Sequence, residues 1–205
     1  MYHRFMGGTP DLTAFVLAGG KSTRMGADKA FVTFDGQTLL ARVLNVARSI
    51  TPDVRIVGDP AKFAPFAPTV DDIFPDCGPL AGIHAALRSS QTDLNLILAV
   101  DVPFISPALL RYLLKRASNS GALVTVAKTE GGYQPLCAIY RRAFAGVAET
   151  ALQAGRYKID TLFTPTTTQT TAEKELETLG FSPKMFRNLN TPRELAEASE
   201  IPNSR

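Results

Sequence analysis

The stretch 14–31, AFVLAGGKSTRMGADKAF, decides the fold reading. Its first part belongs to a short apolar run, TAFVL at 13–17, that stops at Ala18 and the glycine pair Gly19 and Gly20. An apolar run this short, cut off by glycine, predicts a buried strand. Three cations follow, Lys21, Arg24 and Lys29, with Asp28 as the acid among them. In open α/β sheets ligands sit outside the carboxyl ends of the strands. Glycine there lets backbone N–H groups approach phosphate oxygens with no Cβ in the way. Arg offers a planar fork to such oxygens and Lys a compact point charge. Neither G-x-x-x-x-G-K-[ST] nor G-x-G-x-x-G is present, so the two most familiar phosphate loops are excluded. By itself, a glycine pair after a strand reads first as a tight turn.

The rest of the chain supplies the context. Leu39, Leu40, Val43, Leu44, Ala47 and Ile50 recur at helical spacing. DVRIVG reads as a second strand and GPLAGIHAALRSS as a helix with Pro79 in its first turn. LNLILAVD is an almost unbroken apolar run ending in Asp101, which predicts a central parallel strand covered on both faces. Ser106 and Pro107 cap and open a helix over PALLRYLLKRA. ALVTVA is another strand. YQPLCAIY follows Gly131 and Gly132 as a strand whose Pro135 belongs at an edge or a bulge. RRAFAGVAETALQAG is a helix closed by Gly155. This β-α rhythm from 13 to about 155 predicts a three-layer α/β/α fold with a mostly parallel central sheet. One domain is expected over 1–205, with a flexible leader at 1–11. The threonine-rich 164–175 lacks periodicity and is expected to be a mobile surface loop. Thr191, Pro192 and Glu194 form a capping box for a last helix.

Composition narrows the function classes. The 205 residues are 45% hydrophobic with a net charge of +3, enough for a packed core and too mild for a dedicated nucleic-acid binder. No apolar run is long enough to span a bilayer. MYHRFMGGTPDL has no signal-peptide apolar region, so a cytoplasmic location is expected, with neither nucleic acid nor membrane as partner. Cys77 and Cys137 form no C-x-x-C pair and read as free thiols, and His84 reads as a helix-face residue rather than a ligand.

LAGGKSTRMGADK, 17–29, resembles the signature L-A-G-G-x-S-x-R-M-G-x-D-K of nucleotidyltransferases with a Rossmann-like, GT-A-like fold. Within them it is most similar to the molybdenum cofactor guanylyltransferases. DDIFPDCGPLAGIHAAL resembles that family's D-x-x-P-G-x-G-P-L-x-G segment, AVDVPFISPALL its D-x-P-F strand end, and FRNLNTPREL its F-x-N-x-N-T-P-x-E-L terminus. The matches run in order over nearly the whole chain. Two residues depart from the pattern: Asp76 stands where glycine is usual, and Gly58 where many relatives carry an asparagine that touches the nucleotide.

The resemblance implies transfer of GMP from GTP to molybdopterin, with release of pyrophosphate. It implies Arg24, Lys29 and Asp101 as catalytic residues, and Leu17, Ala18, Gly19, Gly20, Lys29, Gly58, Asp72 and Asp101 around the nucleotide. Asp71 adjoins Asp72, and the register between them stays open. Asp101, a carboxylate at the tip of a central strand, is the expected ligand of Mg²⁺, which needs only one or two carboxylates beside water and phosphate. Asn188 and Asn190 would border the acceptor. If 186–190 is extended, both amides share one face and Leu189 takes the other. Transient contact with molybdopterin-delivering proteins and molybdoenzymes is expected. The alternatives are a related nucleotidyltransferase using CTP or another acceptor, and a GTP-binding module without catalysis. Asp28 stands where methylerythritol and sugar nucleotidyltransferases usually carry proline.

Overall fold

The computed structural model describes residues 11–19, 28–189, 191, 194–195 and 197. Strand β1 (Leu12–Leu17) is buried at every position. Its side chains alternate as the pleat requires. Ala14 and Val16 enter one apolar cluster, and Phe15 and Leu17 enter the other. Each large apolar side chain so buried contributes about 1.5–3 kcal/mol. β1 therefore needs cover on both faces.

That cover comes from helices on both sides of a seven-stranded sheet. Helices α1 (Leu39–Arg48) and α4 (Pro107–Ser118) contribute Leu40, Leu44, Leu110 and Leu113 to the first cluster. Helices α3 (Pro79–Ser89) and α5 (Phe144–Gln153) contribute Ile83, Leu87, Phe144 and Leu152 to the second. The short α2 (Pro60–Phe63) and α6 (Glu173–Thr178) lie on the α1 side through Phe63 and Leu176.

β1 pairs in parallel with β4 (Val54–Val57) and β6 (Leu94–Ala99). β4 in turn pairs in parallel with β5 (Thr69–Val70). Leu17 is level with both Val57 and Ala99, so the three strands end together. Beyond β6 come β8 (Gly132–Arg141), β7 (Val124–Thr129) and β9 (Thr168–Ala172). β8 is antiparallel to both its neighbours and is the strand running against the rest. β2 (Thr33–Phe34) and β3 (Gln37–Thr38) make a separate hairpin. Its turn residues Asp35 and Gly36 have φ of 51° and 75°, the pair of positive values a two-residue turn matched to strand twist needs.

The predicted boundaries have visible causes. Ser106 caps α4 by accepting from the Leu109 N–H at 3.3 Å. At the end of α5, Arg156 donates to the Ala151 carbonyl and Gly155 to that of Leu152. Gly155 has φ 68°, which completes a Schellman motif. Pro135 lies in an internal strand rather than at an edge. It falls where the β7 register shifts between Val126 and Lys128, so the bulge alternative holds. Cys77 and Cys137 are free. Burial pushes the Cys137 thiol up to about 12, which keeps it protonated.

The expectation of a mobile surface loop over 164–175 is corrected. β9 runs parallel to β7 from Val124↔Thr168 to Lys128↔Ala172, and α6 begins directly after it. Threonine is β-branched and suits a half-buried strand, but its polarity hides the alternation that marks strands elsewhere. Thr171 is fully buried while its neighbours are partly or wholly exposed. Of the expected leader, residues 1–10 lie outside the described residues.

Candidate active site

Parallel pairing brings the carboxyl ends of β5, β4, β1 and β6 side by side in that order. Asp72 follows β5, Gly58 follows β4, Ala18 and Gly19 follow β1, and Asp101 follows β6. Four adjacent strands cover roughly 14 Å at ordinary strand spacing. These predicted nucleotide residues, scattered over more than eighty positions of chain, thus lie at the same end of neighbouring strands.

The exit from β1 is held on both sides. The Val57 carbonyl accepts from the Ala18 N–H at 3.0 Å and the Gly19 N–H at 3.2 Å, while Val100 N–H donates to the Leu17 carbonyl at 3.1 Å. Leu17 and Ala18 are nearly buried; Gly19 is exposed. The two amides are spent on Val57, so the carbonyls are the polar groups Ala18 and Gly19 can still offer to a ligand.

Lys29 opens a 3-10 turn, Lys29–Phe31, capped by Asp28, whose Oδ1 accepts from the Ala30 N–H. Ala30 is fully buried and fixes the turn to the core. Lys29 Nζ lies 2.5 Å from Asp101 Oδ2, and the two side chains are only 14% and 17% exposed. This pair unites two residues that the sequence placed separately. Asp101 Oδ1 is buried and accepts no hydrogen bond among the described residues. A buried carboxylate oxygen without a donor carries an unmet desolvation cost. It has the right chemistry for a hard cation that prefers oxygen ligands, so Mg²⁺ fits here.

Towards the C-terminus, the N–H of Leu189 donates to the Asp101 carbonyl at 3.0 Å. Leu189 is fully buried and Asn188 exposed, the alternation expected of an extended segment. Thr191 and Glu194 exchange hydrogen bonds of 3.1 and 3.2 Å, which is the predicted capping box. Gly20, Arg24 and Asn190 lie outside the described residues.

A family model described as MobA-like NTP transferase domain matches residues 14–168. The chain belongs to this family. It is 34% identical to a molybdenum cofactor guanylyltransferase from Desulfosudis oleivorans, over 91% of this chain and 94% of the relative. A probable molybdenum cofactor guanylyltransferase from Pelotomaculum thermopropionicum is 32% identical over 91% of each chain. Among solved structures, molybdopterin-guanine dinucleotide biosynthesis protein A from Archaeoglobus fulgidus superimposes with a TM-score of 0.78 at 28% identity. That match covers 92% of this chain and 97% of the other.

Both departures of this MobA-like chain have structural reasons. Asp76 has φ 60°, a left-handed conformation natural to glycine and tolerated best by Asp and Asn among the others. At Gly58 a Cβ would stand 2.9 Å from the Phe63 ring, so any side chain is refused unless that ring moves. Gly58 therefore presents backbone alone. Desolvation, and then the charge of Asp71, hold the Asp72 carboxyl above its ordinary value. Beneath the same loop, His84 of α3 is buried against Phe74, ring centroids 5.2 Å apart. Neither ring nitrogen has a hydrogen-bond partner among the described residues. Desolvation holds its pKa below the usual value; Glu149 opposes this, and Arg88 adds to it.

Sequence reasoning did not foresee the part played by α2. Its start was legible in Asp59 and Pro60, a cap followed by a first-turn proline.

Proposed function

We propose that this MobA-like nucleotidyltransferase moves GMP from GTP to molybdopterin, releasing pyrophosphate and forming the guanine dinucleotide of the cofactor. The names borne by its relatives support the substrate pair. The observation that carries the catalytic reading is the Lys29–Asp101 pair, with an Oδ1 that has no donor among the described residues, set beside the β1 exit.

In this reading a terminal phosphate oxygen of the acceptor attacks the α-phosphorus of GTP. A new P–O bond forms, and the bond to the β-phosphate breaks with its electron pair leaving on pyrophosphate. The chain's task is positioning and charge neutralisation. Lys29 donates to phosphate oxygens, with Arg24 as the second cation of the signature. Asp101 would hold Mg²⁺, which when bound neutralises phosphate charge and orients the triphosphate. The carbonyls of Ala18 and Gly19 suit a base edge rich in donors, and guanine presents N1–H and N2–H₂. Asn188 offers amide donor and acceptor groups to the pterin side.

The test is pyrophosphate release in the presence of molybdopterin and Mg²⁺ with GTP, CTP, ATP and UTP in parallel. Release confined to GTP supports the proposal. Equal or faster release with CTP refutes the guanylyl assignment, and nucleotide binding without release makes the chain a binding module.

A further inference from the structure

We propose that Phe31, stacked on Phe63 and flanked by the Asp28–Lys62 ion pair, is a positioning residue that sets Lys29 for its phosphate contact; this deepens the proposed function and rests on it. The residues on either side of 20–27 lean on one segment. Before it, Ala18 and Gly19 donate to Val57. After it, Lys62 Nζ lies 3.1 Å from Asp28 Oδ2. The Phe31 ring stacks on Phe63 with centroids 5.8 Å apart and planes 19° apart, and it meets Phe66 at the same centroid distance. Phe63 fills the space that a Gly58 side chain would need. Residues 57–66 thereby tie the β1 exit to the turn that bears Lys29.

Core packing does not account for Phe31. Ala30 anchors the turn and is fully buried, whereas Phe31 is 39% and Phe66 42% exposed. The Phe31 ring is partly exposed against the buried Phe63, and the exposed Asp28–Lys62 pair adds little to stability. These contacts are small for global stability. They suffice to narrow the directions open to a long, flexible lysine stem. Lys29 reaches Asp101 across 72 positions of chain, and the clasp fixes the backbone end of that reach. A cation already placed loses less freedom when phosphate arrives.

Two readouts decide the proposal. In the first, lysine acylation by an amine-reactive ester is followed by mass spectrometry on the whole chain. In Phe31→Ala, Lys29 should be modified several-fold faster, while the exposed Lys184 keeps its rate and the melting temperature stays within a few degrees. An unchanged Lys29 rate overturns the proposal. In the second, Phe31→Ala should lower kcat about tenfold, Phe31→Tyr should restore it, and Phe31→Ala should add no loss in a Lys29→Ala background. Independent, additive losses overturn it. A wild type inert towards every nucleotide refutes the functional reading, and the acylation rates then decide the clasp alone.

Discussion

The N–H of Leu189 donates to the carbonyl of Asp101 at 3.0 Å, so the terminal segment is bonded directly to the residue that follows β6. Leu189 is fully buried, and Asn188 beside it in the chain is exposed. Asn188→Ala should raise the molybdopterin concentration needed for half-maximal turnover by about tenfold, the order expected for about 1.4 kcal/mol. Stability should change by no more than about 0.5 kcal/mol, as for exposed sites generally. Separate titrations of GTP and molybdopterin check this. A loss confined to GTP affinity would remove Asn188 from the acceptor side.

Asp76 supplies a backbone test. Its φ of 60° is open to glycine and poor for a β-branched residue. Asp76→Gly should leave stability within about 1 kcal/mol of the wild type, and Asp76→Val should lose about 1–2 kcal/mol. Urea unfolding of the two variants gives the comparison. Equal stability of both would mean that the left-handed turn is not the constraint.

His84 sets a pH dependence. Its folded pKa lies below the ordinary 6.5, so the unfolded chain binds the extra proton first. The stability from the buried neutral ring is present above about 6.5 and is lost as pH falls through the folded value. Glu149, 4.0 Å away, softens that loss and Arg88 sharpens it. His84→Gln should flatten the fall in melting temperature between about pH 6.5 and pH 5. A parallel decline in both proteins would show that His84 does not govern it.

The layers of the fold were readable because β1 and β6 are apolar on both faces and helices with 3.6-residue patterns lie between strands. The reversed direction of β8 was not readable, since strand direction depends on where the connections cross, and no local pattern records that. β9 was missed because threonine hides a strand behind polarity. The site was legible as residue types at strand ends, Gly19, Gly58, Asp72 and Asp101, since a short apolar run fixes where its polar terminus falls. The Lys29–Asp101 contact was not legible from spacing, because it is made by the adjacency of β1 and β6. The support beneath Lys29 comes from Lys62 and Phe63 of α2, whose four residues carry too short a pattern to announce a role.

Asp101→Asn tests the central claim most directly. The change is nearly isosteric and removes the charge that faces Lys29 and would hold the cation. Pyrophosphate release from GTP, measured with molybdopterin at limiting Mg²⁺ on protein with a wild-type circular dichroism spectrum, should fall by about 10²–10³, the order for losing one preorganised charge contact. Turnover within a few-fold of the wild type would contradict the placing of catalysis at Asp101.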